Sequence, residues 1–246
     1  MVTKNQIKRI KSLHQKKYRK EHQLFIAEGV KVIEELLQSS FVLEHLYVTK
    51  DMGFEVADNQ VTLVSTEDLK KMSALTTTPN CLAVFHCLES EAIDFSDWVV
   101  ALDDIRDPGN LGTIIRLCDW FGIRQLLCSP ETVDVYNPKV IQATMGSVSR
   151  VNIVYTELSD LLSTQAVPVY GTFLGGENIY EMKAVQPGVI VMGNEANGIS
   201  STIEQLVTRK ITIPRFGDLQ QTESLNVAMA TAIVLSEFRR TVFNAL

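Results

Sequence analysis

At 246 residues with 46% hydrophobic side chains, the chain can fill one large core or two small ones, and no apolar run approaches the ~18 to 20 residues of a membrane span. The start, Met1 to Gln6, leads into basic residues with no apolar leader segment, so a cytoplasmic protein is expected. The net charge of −6 argues against a nucleic-acid partner only on average. The first 22 residues hold eight Lys/Arg against Glu21 alone, leaving 15 basic and 28 acidic residues in the rest.

Screening confines electrostatics to about 8–10 Å, so a basic arm can meet phosphate in spite of an acidic body. A solvated terminal helix explains the same charges. Behind the Glu28-Gly29 turn, residues 24–38 (LFIAEGVKVIEELLQ) place apolar groups at helical spacing, and FVLEHLYVT reads as a strand. VTLVS is a second short strand, a helix opens at Thr66-Glu67-Asp68, TTTPN is turn-rich, and CLAVFH closes a first α/β domain, residues 1–90. Residues 89–97 are acidic and lack periodicity, which marks a linker.

From 97 to 246 the pattern is strand then helix, repeated: WVVAL and a helix near 111–121, QLLCS and a helix near 138–145, VNIVY and a helix near 157–164, then PVYGTF, VIVMG and ITI. Such alternation predicts an α/β fold with a mostly parallel sheet and helices on both faces. Ligands in such sheets sit beyond the carboxyl ends of the strands, so three loops are singled out: DDIRDPGNLG, GNEANGIS and PRFGDLQQTESLN.

In the first loop Asn110 has the chemistry to cap the following helix. Arg116 falls between Ile115 and Leu117, where burying an unpaired guanidinium would be costly, so an anion is expected beside it, whether Asp103, Asp104 or a ligand. In the second loop Gly193 and Gly198 allow either a close approach to a ligand or a tight strand-to-helix connection with Ser200 as cap. In the third, Ser224 is positioned to cap the apolar helix LNVAMATAIVLSEF, and Asn226 lies in its first turn, either as a second cap or facing the crevice.

The four cysteines (Cys81, Cys87, Cys118, Cys128) are separated by five, thirty and nine residues, which fits no metal knuckle or redox pair, and buried free thiols are expected. All four histidines lie within the first 86 residues, away from the glycine-bearing loops, so zinc and histidine-based hydrolysis are disfavoured and no metal is expected. A nicotinamide-dependent oxidoreductase is disfavoured by the missing GxGxxG fingerprint.

Together, NLGTIIR, MGNEANGIS and IPRFGDLQQTESLNVAMATAI resemble, in order and spacing, the three motifs of the SpoU/TrmH branch of the SPOUT RNA methyltransferases. ATMGSVSRV, RKEHQLFIAEGVKVIEELL and ALTTTPNCLAVF extend the likeness over nearly the whole chain. The resemblance implies a C-terminal deep trefoil knot, a homodimer, and S-adenosylmethionine held by Thr172, Gly193, Ile213 and Leu225. It implies transfer of a methyl group to a ribose 2′-hydroxyl of RNA, ribosomal in preference to transfer RNA, with Asn110, Arg116, Glu195, Ser224 and Asn226 at the active site. Arg116 would orient the nucleotide phosphate and assist deprotonation, Glu195 would fix the second loop or orient Arg116, and the others would position the ribose. Lys16, Lys17, Arg19 and Lys20 of the arm would bind RNA. A non-catalytic RNA-binding or assembly protein on the same fold is the alternative. The chain departs from the family pattern in a longer link between Pro214 and Ser224 and in Arg215, which stands where an apolar residue is usual.

Overall fold

The computed structural model describes residues 2–183, 185–219 and 224–243. Two compact units are present: residues up to Glu89 together with Asp134–Ser149, and Ser90–Val133 together with the chain from Arg150 on.

In the first unit the basic stretch is folded rather than a free arm. Thr3 and Gln6 form a capping box at the start of α1 (Lys4–Ser12), and Ile10 and Leu13 are buried in the core. Helix α2 (Lys16–His22) ends where Gln23 takes a left-handed turn, at φ 52°. Next come β1 (Leu24–Glu28), α3 (Val30–Leu37), β2 (Leu43–Val48), β3 (Val61–Leu63), α4 (Thr66–Met72) capped by Ser65, and β4 (Cys81–His86). Residues 24–28, lumped with a helical pattern in the sequence, are therefore a strand, and all five are buried. The sheet order is β1-β4-β2-β3, with β4 antiparallel to both neighbours and β2 parallel to β3.

Alternation splits this sheet into two apolar faces. Leu24, Ile26, Leu82 and Val84 pack with Ile10, Leu13, Leu69 and Met72 on the side of α1 and α4. On the other, the Phe25 ring lies 4.6 Å from that of Tyr136, 5.3 Å from Phe41 and 5.9 Å from Phe85. Tyr136 opens the segment that brings a helix at Pro138–Thr144 into this unit from the middle of the chain. Glu28, 3% exposed at the end of β1, accepts hydrogen bonds from Ser73 Oγ (2.5 Å) and the Ala74 amide (2.8 Å), and its burial raises its pKa.

The second unit contains β5 (Val99–Asp103), α5 (Pro108–Trp120), β6 (Gln125–Cys128), β7 (Asn152–Tyr155), α7 (Leu158–Thr164), β8 (Val169–Asn178), β9 (Val189–Gly193), α8 (Ser201–Glu204), β10 (Arg209–Thr212) and α9 (Val227–Phe243), the 138–144 helix counting as α6. Its six strands run in the order β10-β8-β9-β5-β6-β7, and every pairing is parallel. Val99, Ala101, Val189 and Val191 pack beneath α7 and α8, while the alternate residues Val100, Leu102, Ile190 and Met192 are equally buried on the opposite face. Both faces are thus covered, which is why these strands read as continuous apolar runs. On the α9 side Trp98, Tyr170 and Phe238 form a ring cluster with centroids 4.9–5.4 Å apart.

One register detail places the site. Asp103, the last residue of β5, pairs with Gly193, the last residue of β9, so the loops after these two central strands leave the sheet at the same level. The third loop starts from edge strand β10 and must cross the strand ends before α9 begins.

Candidate active site

The first loop is locked before it becomes a helix. Asp104 sits in the left-handed region at φ 62°, and Asp107, not Asn110, is the N-cap of α5: its carboxylate accepts from the Asn110 amide at 2.8 Å, with Pro108 at the first helical position. Relieved of capping, the Asn110 side chain faces outward. Its Nδ2 donates to Glu195 Oε1 at 2.7 Å, and its Oδ1 accepts from Asn226 Nδ2 at 2.9 Å.

Asn226 settles the question left open for the third loop. Its Oδ1 accepts from the amides of Ala228 (3.0 Å) and Met229 (3.2 Å), so Asn226 caps α9 and Ser224 lies two residues too early to do so. A single cap oxygen fixes which way the amide of Asn226 points. That orientation presents its NH₂ group to Asn110, which in turn must present its own NH₂ group to Glu195. Three loops are tied in one directional chain, from the α9 backbone to a carboxylate.

The second loop is a compact ring of its own. Asn194 and Gly198 exchange backbone hydrogen bonds of 3.0 and 2.8 Å, and Asn194 Oδ1 accepts from the amides of Ala196 and Asn197. Asn194 Nδ2 donates to the Asp104 carbonyl at 2.6 Å, joining this loop to the first. A Cβ on Gly193 would come within 2.3 Å of the Gly198–Ile199 backbone, so the ring closure itself demands glycine there. Gly198, at φ 70°, supplies the reversal. Ser200 stands at the N-cap of α8 as expected but makes no side-chain cap bond; its amide donates to Asp103 Oδ2 at 2.7 Å.

Arg116 stands differently from its expected place. It is exposed on α5, and among the described residues it forms no hydrogen bond or ion pair. Asp103 serves Ser200, and Asp104 is held by Arg106 at 2.7 Å, so neither carboxylate is its partner. Arg116 follows Asn110 by six positions along α5, about 9 Å of rise and about one and two-thirds turns, so the two side chains leave the helix on different faces.

Beyond the ends of β8, β9 and β10 opens a cleft of about 1610 Å³. Its lining includes all four residues expected to hold the cofactor, Thr172, Gly193, Ile213 and Leu225, together with Glu195 and Ser224; Arg116 is not part of it. Its floor is apolar, from buried Met192, Ile211 and Val234, and much of its wall comes from the loops at 193–198 and 213–217. An adenosyl ligand with a sulfonium centre fits such a surface: an apolar wall takes the rings, and backbone groups take the polar edges. The Thr172 hydroxyl donates to the Val191 carbonyl at 3.1 Å, leaving its oxygen lone pairs for a ligand. Of the long third link, residues 220–223 lie outside the described residues.

The thiols lie outside this chemistry. All four cysteines are free; Cys81, Cys118 and Cys128 are buried, and Cys87 is half-buried. Desolvation pushes the Cys118 thiol up to about 12 and Cys81 to about 11, too high for a nucleophile near neutral pH. Among the basic residues of α2, Lys16, Lys17 and Lys20 are exposed, but Arg19 is 3% exposed. Its guanidinium donates to Asp134 Oδ2 at 2.5 and 2.9 Å and to the Leu13 and His14 carbonyls at 2.9 Å each. Arg19 is therefore a brace inside the first unit and has no donor pointed at RNA. Sequence reasoning passed over Asp107 as a cap and Asn194 as a loop closure, for which an Asp just before Pro-Gly and an Asn directly after a strand are the signals, and it assigned Asp103 to Arg116 where it serves Ser200.

The chain is 31% identical over 244 residues to the 23S rRNA (guanosine(2553)-2′-O)-methyltransferase RlmP of Bacillus subtilis, covering 96% of this chain and 97% of the relative. A solved TrmH-family structure from Porphyromonas gingivalis superposes with a TM-score of 0.89 at 38% identity, covering 98% of this chain and 99% of the other. An AdoMet-bound rRNA methyltransferase from Sinorhizobium meliloti gives 0.84 at 29% identity, with 98% and 96% covered. Residues 4–83 match the MRM3-like substrate binding domain. Residues 97–236 match the SpoU rRNA Methylase family, and the chain belongs to that family.

Proposed function

We propose that this protein transfers the methyl group of S-adenosylmethionine to a ribose 2′-hydroxyl of large-subunit ribosomal RNA. The observation that carries the reading is the directed chain Asn226–Asn110–Glu195, which joins three loops beside a cleft suited to the cofactor. Thr172, Gly193, Ile213 and Leu225 hold the cofactor, which supplies an electrophilic methyl on sulfur. The ribose hydroxyl is a poor nucleophile and must shed its proton while in line with that methyl. Asn110 and Asn226, oriented by the α9 cap, position the ribose, with Ser224 beside them, and Glu195 holds the second loop against the first. Arg116, exposed on α5 and outside the cleft, acts through a phosphate of the bound RNA, for which its fixed fork of donors is suited.

Residues 1–90 serve as the RNA-binding domain, through Lys16, Lys17 and Lys20, and residues 97–246 as the transferase domain. The third loop closes a deep trefoil knot, a reading supported by its passage from edge strand β10 to a cap beside the centre of the sheet. The working form is a cytoplasmic homodimer, supported by Trp120 of α5 and Met229 of α9, which are 84% and 58% exposed. Among the described residues no helix is long and apolar enough to cross a membrane.

The test is calorimetric titration with S-adenosylmethionine, paired with transfer of labelled methyl to RNA from a strain lacking the protein. Saturable binding and alkali-resistant label in large-subunit RNA are expected. Binding without transfer would favour the non-catalytic RNA-binding reading, and absence of binding would remove the cofactor assignment.

A further inference from the structure

The mouth of the cleft carries apolar surface that neither the fold nor the cofactor accounts for. Phe216 is 83% exposed, Leu219 82% and Leu174 70%, and all three line the cleft. Tyr180, 46% exposed just after β8, stands beside them, its ring centroid 6.4 Å from that of Phe216 with the planes 39° apart. Four large apolar groups left wet at one rim mark an interaction surface. Phe216 and Leu219 lie on the stretch where this chain departs from the family pattern, so the patch belongs to this protein's own loop.

The occupant follows from position and chemistry. The sheltered floor, formed by Met192, Ile211 and Val234, is where a small cofactor loses its water. The cleft, at about 1610 Å³, exceeds the ~300–1,000 Å³ that small-ligand sites use, leaving the rim for a second occupant. A ribose hydroxyl of structured RNA reaches a recessed methyl group only if its nucleotide leaves the stack, which exposes the faces of its base. Aromatic side chains replace lost base stacking without regard to sequence. Arg215 lines the same cleft, and Lys210 beside it is paired with Glu204, so the rim offers a base its apolar faces more than net positive charge.

We propose that Phe216 and Tyr180, flanked by Leu174 and Leu219, form a stacking subsite for the unstacked base of the target nucleotide. This rests on the methyltransferase reading above. Phe216 and Tyr180 are positioning residues: they hold the base so that the ribose presents its hydroxyl.

The test compares wild type with F216A, Y180A and F216W in two assays. In the first, the KM of an unmodified large-subunit rRNA transcript and the calorimetric Kd of S-adenosylmethionine are measured in parallel. KM is expected to rise about 5- to 150-fold in each alanine variant and to recover in F216W, with the cofactor Kd unchanged. In the second, a single-stranded oligonucleotide bearing one 2-aminopurine is titrated with protein; wild type and F216W quench its fluorescence by stacking, and the alanine variants do not. An unchanged KM, or a cofactor Kd that weakens in step with KM, overturns the subsite, the latter by making Phe216 a wall of the cofactor pocket. A wild type that quenches 2-aminopurine but methylates no RNA refutes the methyltransferase reading and leaves a base-stacking surface standing. A wild type that methylates without quenching refutes the subsite alone.

Discussion

Asn226 performs two tasks with one amide, and its two atoms separate them. Its oxygen caps α9 and its nitrogen aligns Asn110. N226D keeps the accepting oxygen but cannot donate, so thermal stability is expected to hold while methyl transfer falls by at least tenfold. N226A loses the cap as well and is expected to cost about 0.5–2 kcal/mol by chemical denaturation. Arg19 makes the opposite point about the basic start of the chain. R19A leaves the half-buried Asp134 carboxylate and two carbonyls without their donor, and a loss of about 1–3 kcal/mol from the first unit is expected. The triple variant K16A/K17A/K20A is expected to stay within about 0.5 kcal/mol of wild type while the salt dependence of RNA binding flattens. Equal destabilisation in both variants would show that the exposed lysines are structural too.

At the scale of elements, Glu28 joins the end of β1 to the start of the loop that follows α4. Its carboxyl is easier to protonate in the folded chain than at the ordinary value of 4.5, because burial penalises the charge. The folded state therefore holds a proton that the unfolded state has released. Stability of the first unit should fall as pH rises from 4.5 through the raised value and level off above it. E28Q retains an acceptor for the Ala74 amide and a partner for Ser73, so denaturation at neutral pH should find it at least as stable as wild type and without that pH slope. E28A leaves both donors unpaired and should lose about 1–3 kcal/mol. The same strand shows where the sequence was opaque. Leu24–Glu28 is buried on both faces and so has no alternation to set it apart from the helix behind it, whereas Cys81–His86, bounded by turn residues, was legible. The alternating strands and helices of the second unit were legible for the same reason. The insertion of β9 between β8 and β5 was not, since strand order depends on contacts far apart in sequence. Nor could residue types separate Asp107 from Asn110 or Ser224 from Asn226 as caps, because each pair offers the same acceptor chemistry. Arg116 between two apolar neighbours suggested burial; Ile115 is buried, but 100° of rotation per residue leaves Arg116 in solvent.

For the whole molecule, α5 and α9 leave Trp120 and Met229 wet, and W120E is expected to convert a dimer to a monomer in light scattering; a wild type that is already monomeric would remove the homodimer from the proposed function. The hydrogen-bonded chain of the active site has another consequence, in time rather than space. Its two links close over 85 and 116 residues. Loops of that length form slowly, so strands and helices should recover their spectroscopic signal in refolding before catalytic competence returns. A chain stalled before Asn226 would carry both central strands and the first two loops, yet nothing would orient the Asn110 amide toward Glu195.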